Sequence, residues 1–264
     1  MQTVRFATYN IECLGISSRK PQPDQACLEA VQETIQSLQA DVVSLTEAPD
    51  ERNFLSFYDA KLKSEFPHMA FLQTDPRSNH NAAILSKFPI GRWQVHSKFQ
   101  AGQKNSDFTR GVGSADIEIP SAPTRLFVHH SKADPYYATL MSEHERQIKL
   151  EQCQTKRHQE WSGLTDLAQG KEGDNGANPK VLQLLTGDFN DTPASFAYHT
   201  LSTHLQDAFL QAGWGIGPTY SGFFQAYRID YIFAGEKFSV KNYNTICANY
   251  SDHYPVTCSV AIKK

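Results

Sequence analysis

The chain has 264 residues, of which 40% are hydrophobic, and a formal net charge of −3. A chain of this length and composition can bury one sizeable core, so we predict a single domain over residues 1–264. The slightly acidic balance argues against a protein that coats nucleic acid non-specifically, but it leaves room for a local basic groove.

Membrane insertion and export are not indicated by the sequence. No stretch is long and apolar enough for a membrane span, and Met1 leads almost directly into a strand-like segment rather than a signal peptide. We therefore expect a cytoplasmic protein, or a secreted or periplasmic one if a leader has been removed. The five cysteines lack Cys-x-x-Cys spacing, which favours reduced thiols over a disulfide framework, and pairing of Cys247 with Cys258 stays open.

The first half of the chain alternates between strand and helix patterns. In chain order these are a strand at 4–10 that ends in Asn10, a helix at 24–39, a strand at 41–47 that ends in Glu47, a helix at 54–66, a short strand at 68–73, a strand with a turn at 81–90, and a β-rich region at 92–120. This order predicts a mixed α/β core that continues into antiparallel sheet.

The second half repeats the alternation. The predicted elements are a strand at 124–128 followed by His129 and His130, a long charged helix at 137–167, a glycine-rich connector at 169–178, a strand at 181–187, a helix at 193–202, a loop at 213–222, and strands at 227–233, 238–248 and 256–262. Adjacent strand residues point to opposite faces, so at most one of the two histidines belongs to a site.

The segment Leu184 to Thr192 changes abruptly from apolar to polar residues. Gly187 permits a tight bend, and Asp188 and Asn190 are two positions apart, which points their side chains the same way in a strand. Such a tip is typical of a ligand site in a layered α/β protein, but in isolation the motif is more typical of a turn followed by a helix cap.

Polar residues recur at the ends of six predicted segments. They are Asn10, Glu47, His130, Asp188, Asn190, Asp230, Asp252 and His253. Several carboxylates at strand ends favour a hard divalent cation, magnesium or manganese, and no His-x-x-x-His motif or cysteine pair supports zinc. An Asp–His pair together with a metal suits phosphoester hydrolysis. Arg228 and Asp230, on one face of their strand, have a structural alternative in a buried ion pair.

Six motifs in order resemble the endonuclease/exonuclease/phosphatase superfamily, whose members include DNase I-like enzymes. The motifs are Thr8-Tyr9-Asn10, Leu45-Thr46-Glu47, His130-Ser131-Lys132, Gly187-Asp188-Phe189-Asn190, Arg228 to Phe233, and Ser251 to Val256. They span nearly the whole chain, and their shared order makes the resemblance specific. The resemblance implies a four-layer α/β/β/α sandwich in which two mixed sheets pack face to face, with one site where strand-end loops of both sheets meet.

The resemblance also implies a role for each motif residue. Glu47 is the principal ligand of Mg²⁺, or of Mn²⁺ as a substitute, and Asn10 and Asp252 assist it. Asp188 orients or deprotonates the attacking water, and Asn190 positions Asp188 and the phosphate. His253, held by Asp230, contacts the scissile phosphate, and His130 stabilises the transition state. Lys132, Arg110 and Arg146 are weaker candidates for phosphate contacts.

Two departures from the family pattern concern the surroundings of this core. Thr46 stands where many members have Gln, and the region after Lys132 lacks the Tyr-x-Pro-Asn pattern of the abasic-site endonuclease branch. We therefore expect a monomeric, magnesium-dependent phosphodiesterase of nuclease type, with nucleic acid among the candidate substrates. The alternatives are a phosphomonoesterase of sugar or inositol phosphates, a sphingomyelinase-like phospholipid hydrolase with Trp214, Phe223 and Phe224 at its surface, and a non-catalytic phosphate-binding member.

Overall fold

A computed structural model provides the three-dimensional structure. It describes residues 3–16, 22–75, 80–96, 109–120, 122–132, 159–169, 182–222 and 227–263. Several earlier expectations fall outside these residues: most of the predicted connector at 169–178, Arg146, Cys153, Phe223, Phe224 and the first part of the predicted helix at 137–167.

The first sheet has six strands in the spatial order β11-β12-β1-β2-β4-β3. Its strands are β1 (Val4–Asn10), β2 (Val42–Ala48), β3 (His68–Leu72), β4 (Asn81–Ser86), β11 (Phe238–Thr245) and β12 (Val256–Ile262). The central pair β1–β2 is parallel, and the crossover between them carries helix α1 (Gln25–Ser37), whose N-terminus is capped by the Asp24 side chain.

The second sheet also has six strands, in the order β5-β6-β7-β8-β10-β9. They are β5 (Ile90–Val95), β6 (Thr109–Ile117), β7 (Thr124–Ser131), β8 (Leu182–Asp188), β9 (Gln206–Asp207) and β10 (Asp230–Ala234). The pair β7–β8 is parallel, like β1–β2 in the first sheet, and helix α4 (159–168) lies in its crossover. Each sheet therefore carries one βαβ unit.

Three apolar clusters separate four layers. Residues such as Phe6, Ile84, Val128 and Ile232 fill the space between the sheets. A second cluster packs the outer face of the first sheet against α1, α2 (Glu51–Phe57) and α3 (Ala60–Glu65). A third packs the second sheet against α4 and α5 (Phe196–Ser202), and the short α6 (Ala208–Ala212) follows β9. This arrangement confirms the predicted α/β/β/α sandwich.

The single helix predicted at 54–66 is wrong, because two helices occupy this region. The Asp59 side chain accepts hydrogen bonds from the backbone N–H groups of Lys61 and Leu62, which starts a new helix immediately after Tyr58. The strand predicted at 227–233 begins only at Asp230, and the strand predicted at 238–248 ends at Thr245.

Two expectations from composition can be compared with the structure. Within the described part of the chain, no helix has the length and apolar character needed to cross a membrane. Cys247 is exposed and Cys258 is buried, and both are free thiols, so the pairing left open above does not form.

Candidate active site

The parallel strand pairs of the two sheets end at the same place between the sheets. Asn10 closes β1 and Glu47 lies at the end of β2, while His130 and Asp188 are register partners at the ends of β7 and β8. Asp230 opens β10 directly opposite Asp188. The carboxyl ends of parallel strands are where α/β proteins bind ligands, so the topology collects the predicted residues in one region.

One carboxylate oxygen of Asp188 is the centre of this region. Asp188 Oδ2 accepts hydrogen bonds from Asn10 Nδ2 at 3.1 Å and from Asn190 Nδ2 at 2.9 Å. The Nε2 atoms of His130 and His253 lie 3.6 and 3.7 Å from the same oxygen. Side chains from both sheets thus converge on one buried carboxylate.

Unusual backbone geometry positions these groups. Gly187 has a φ of +133°, and a Cβ at this position would overlap the carbonyl oxygen of His129 on the neighbouring strand. Glu47 and Asn190 have positive φ values of 51° and 47°, which is uncommon for residues with a side chain. Strain of this kind persists where surrounding packing fixes it and is concentrated at functional sites.

His253 is held by a second carboxylate. Its Nδ1 lies 2.9 Å from Asp230 Oδ2, so an Nδ1–H donates to the carboxylate and Nε2 points towards Asp188. Burial lowers the pKa of His253, but the carboxylates of Asp230 and Asp188 outweigh it and raise that pKa to about 10. His253 therefore carries a positive charge at neutral pH.

His130 has the opposite character. It is fully buried, and burial together with the nearby Arg110 charge holds its pKa well below 6.5, which makes it a neutral imidazole. Its Nε2 is 3.4 Å from Glu47 Oε1. The adjacent His129 instead hydrogen-bonds to Ser131 and packs on Phe189, so only one of the two histidines faces the site, as predicted.

Asp188 combines full burial with several nearby charges. Burial raises its pKa to about 7, because desolvation and the repulsion of Asp230 and Glu47 exceed the effect of the His253 charge and of the Asn190 N–H. A carboxylate with a pKa near neutral pH is well matched to accepting a proton from water.

The donor set fits a hard divalent cation. The ligand atoms of Glu47, His130 and Asp188 lie within 4.8 Å of one another, and the two carboxylates supply the oxygen donors of this group. Asp252 lies at the rim of the site with a side chain that is 47% exposed, and its Oδ1 is 3.9 Å from His253 Nε2. Carboxylate and amide oxygens are the ligands that magnesium prefers. Glu47, assisted by Asn10 and Asp252, could hold such an ion.

Several residues near the site had no signal in the sequence. Burial and the nearby Asp252 charge raise the pKa values of Glu12 and Tyr220. The ring of Tyr220 packs edge-on against His253, and His80 Nε2 lies 3.9 Å from Glu47 Oε2. These residues follow no recognisable motif, and only the fold brings them together.

The structure does not form the Arg228–Asp230 ion pair considered above, and it leaves the basic phosphate candidates untested. Arg228 does not pair with Asp230, because its guanidinium lies 2.7 Å from Asp207 on β9. Arg110 lies 3.6 Å from Asp75 and its charge reaches His130. Lys132 follows the end of β7, and Arg146 is outside the described residues.

Comparisons with known proteins agree with this fold. Residues 7–253 match the model described as the Endonuclease/Exonuclease/phosphatase family. A solved endonuclease/exonuclease/phosphatase from Beutenbergia cavernae DSM 12333 is 18% identical, with a TM-score of 0.68 over 99% of this chain and 72% of that chain. A family protein from Bacteroides thetaiotaomicron is 14% identical, with a TM-score of 0.68 over 100% and 99% of the two chains. A truncated TDP2 from Caenorhabditis elegans is 18% identical, with a TM-score of 0.67 over 98% and 97%. No curated protein matches the sequence.

Proposed function

Because the chain belongs to the endonuclease/exonuclease/phosphatase family, a family of phosphoester hydrolases, we propose that it is a magnesium-dependent phosphodiesterase of nuclease type. Membership confirms the resemblance carried by the six sequence motifs. The substrate, the metal and the role of each residue are parts of the proposal.

The convergence of four side chains on Asp188 Oδ2 carries the proposal. Two carboxamides hold the carboxylate in place through hydrogen bonds, and two histidines face it at distances longer than a hydrogen bond. These hydrogen bonds, with a third from the Asn190 N–H to Oδ1, fix the orientation of the carboxylate, and its raised pKa suits it to take a proton. This is the arrangement expected around an attacking water.

The chain's own residues account for most of the reaction. Asp188 accepts a proton from water while the water oxygen bonds to phosphorus and the bond from phosphorus to the leaving oxygen breaks. The leaving oxygen keeps the electron pair of that bond, departs as the alkoxide and takes a proton from solvent. His253, charged and fixed by Asp230, donates Nε2–H to a phosphoryl oxygen, and the neutral His130 donates from the other side. Both donors act on negative charge that grows in the transition state.

Glu47, Asn10 and Asp252 are the residues that would hold a divalent cation. Such an ion would supply positive charge to the phosphoryl group. Glu47 is the principal ligand in the proposal, because its carboxylate is partly exposed and faces the space beside His130. Asn10 donates a hydrogen bond from Nδ2 to Asp188 and accepts one at Oδ1 from the Glu12 N–H. It therefore connects the proposed metal ligands to the proposed water-activating carboxylate.

The test is hydrolysis of bis-p-nitrophenyl phosphate and of single-stranded and duplex DNA in the presence of magnesium. We expect activity that disappears on chelation and returns when magnesium is restored. Asp188→Asn and His253→Ala each lower the rate by about 10²–10⁴-fold, the range of general acid–base catalysis. Inert protein across this panel would refute the proposal.

Matched controls separate catalysis from folding. Asp59→Asn keeps a residue able to cap α3, and His204→Ala removes an exposed histidine distant from the site, so both retain wild-type rates. Site variants with wild-type rates would overturn the roles given to Asp188 and His253, even if the enzyme proved active.

A phospholipid hydrolase is the second candidate, and one observation favours it. Trp214 is 96% exposed, and Leu210 and Ile216 on the same segment are 65% and 73% exposed. Exposed apolar side chains of this kind are suited to a lipid surface. Sphingomyelin vesicles in the same magnesium assay test it, with Trp214→Ala expected to reduce vesicle binding and Trp93→Ala, at 52% exposure on β5, expected to leave it unchanged.

A further inference from the structure

A cysteine, a glutamate and a histidine from three separate segments meet beside the proposed magnesium site. Cys13 lies in the turn after β1, Glu47 at the end of β2, and His80 immediately before β4. Their candidate ligand atoms all lie within 4.8 Å of one another, and Cys13 is buried whereas the other two are half-buried. We propose that these three side chains form a second metal site, which takes a borderline-soft divalent cation such as Zn²⁺.

The two oxygens of Glu47 face two different sets of groups. Oε1 lies 3.4 Å from His130 Nε2, on the side of Asp188, and Oε2 lies 3.9 Å from His80 Nε2, on the side of Cys13. The rings of His80 and His130 are 6.2 Å apart. The Glu47 carboxylate is therefore within reach of either ligand set, so a metal on the Cys13 side competes for it with a metal on the Asp188 side.

The chemistry of the second set differs from that of the first. Thiolate and imidazole are ligands that zinc accepts and magnesium avoids, and zinc also accepts a carboxylate oxygen. Coordination replaces the S–H bond of Cys13 by an S–Zn bond and releases the proton to solvent. Three protein ligands leave a fourth tetrahedral position open.

The turn that carries Cys13 is held in an unfavourable conformation. Glu12, Cys13 and Leu14 have consecutive φ values of 46°, 49° and 55°, each in the left-handed region. This costs about 1–2 kcal/mol per residue, so the packing of the fully buried Leu14 must fix it. The turn directs the Cys13 side chain towards Glu47 instead of continuing along β1.

The charges around Cys13, Glu47 and His80 are compatible with a bound cation. Arg110 is the basic side chain that acts on Cys13, and Asp75, which is buried, lies 3.6 Å from its guanidinium and offsets it. Glu12 and Glu47 add negative charge on the same side. Zinc bound here withdraws Glu47 from magnesium, so zinc inhibits the magnesium-dependent reaction. This last consequence rests on the proposed function.

Cobalt titration of the full-length, reduced, chelator-treated protein tests the site. A cobalt–thiolate bond gives a charge-transfer absorption in the near ultraviolet, which oxygen and nitrogen ligands do not give. We expect this band in the wild type and in Cys247→Ser, which removes an exposed free cysteine, and we expect its loss in Cys13→Ser. His80→Gln weakens cobalt binding by at least about 10-fold, since even an outer-shell partner contributes that much.

Competition between zinc and cobalt tests whether the site that gives the thiolate band binds zinc and affects hydrolysis. Added zinc displaces cobalt and removes the band, and it inhibits magnesium-supported hydrolysis in the wild type more strongly than in Cys13→Ser or His80→Gln. Both variants keep their magnesium-supported rates. Circular dichroism checks that each variant is folded. If Cys13→Ser does not fold, His80→Gln, which changes a half-buried residue, provides the test of the site.

The possible failures are distinguishable. A band that persists in Cys13→Ser, or folded wild type without a band, overturns the second site. A normal cobalt band in a protein that hydrolyses no phosphoester leaves the second site standing and refutes the proposed function instead.

Discussion

Gly187→Ala is the most demanding test of how the backbone positions Asp188. Gly187 lies in β8 between β7 and β10 and pairs with His129 and Tyr231. A Cβ there would overlap the His129 carbonyl oxygen and lie 2.9 Å from its carbonyl carbon, and the φ of +133° is unfavourable for any residue with a side chain.

The expected cost has two parts. Forcing a side chain into this region of backbone conformation costs about 1–3 kcal/mol. Relieving the overlap by shifting a central strand costs about 1–3 kcal/mol more, as overpacking of a core does. The total of about 2–6 kcal/mol is a large fraction of the typical 5–15 kcal/mol of folding stability. The clash is between Gly187 and His129, and Asp188 and His130 are the next residues along the two strands. The same shift therefore moves Asp188 relative to His130.

Urea unfolding and phosphodiester hydrolysis measure the two consequences. Gly215→Ala is the matched control, because Gly215 also has a positive φ, +78°, but a Cβ there would meet nothing within 4 Å. We expect it to cost only about 1–2 kcal/mol and no activity. Equal unfolding midpoints and equal rates for the two variants would refute the argument that close packing at Gly187 fixes the site.

Three further predictions address charge and packing. The raised pKa of His253 means that its charged form stabilises the fold fully below about pH 6.5, and that this stabilisation is lost as the pH rises to about 10. Asp230→Asn should flatten the resulting fall in melting temperature with pH, measured in the presence of chelator. An unchanged slope would contradict the pairing of His253 with Asp230. Arg228→Met should lower the free energy of unfolding, measured in urea, by about 3–5 kcal/mol, because it leaves the buried Asp207 carboxylate without its cationic partner. Adding Asp207→Asn should recover part of that loss. Ser44→Ala removes a 2.8 Å hydrogen bond between the two sheets and should cost about 1 kcal/mol without loss of fold, whereas a neutral result would show that this bond contributes nothing.

The sequence predicted the strand ends well because their signal is local. An apolar run that stops at Asn10, Glu47 or Asp188 shows where a strand leaves the core, and the ordered motifs then supply the topology. The match over residues 7–253 confirms the family, and the two packed sheets confirm the layers.

What the sequence did not predict depends on contacts between distant segments. Arg228 was considered with Asp230 because they share one strand pattern, yet its partner is Asp207 on a two-residue strand that no periodicity reveals. The break between α2 and α3 depends on the Asp59 cap within an otherwise helical pattern of apolar residues. Cys13 and His80 meet only because a left-handed turn reverses the chain after β1.

The position of β1 has a consequence for synthesis on the ribosome. This first strand lies between β2 and β12, the last strand, so one side of it has no partner until residues 256–262 have been translated. Asp252 and His253 directly precede β12, and they too arrive late. The nascent chain must therefore carry β1 with one unpaired edge through most of translation, which exposes that edge to non-native strand pairing.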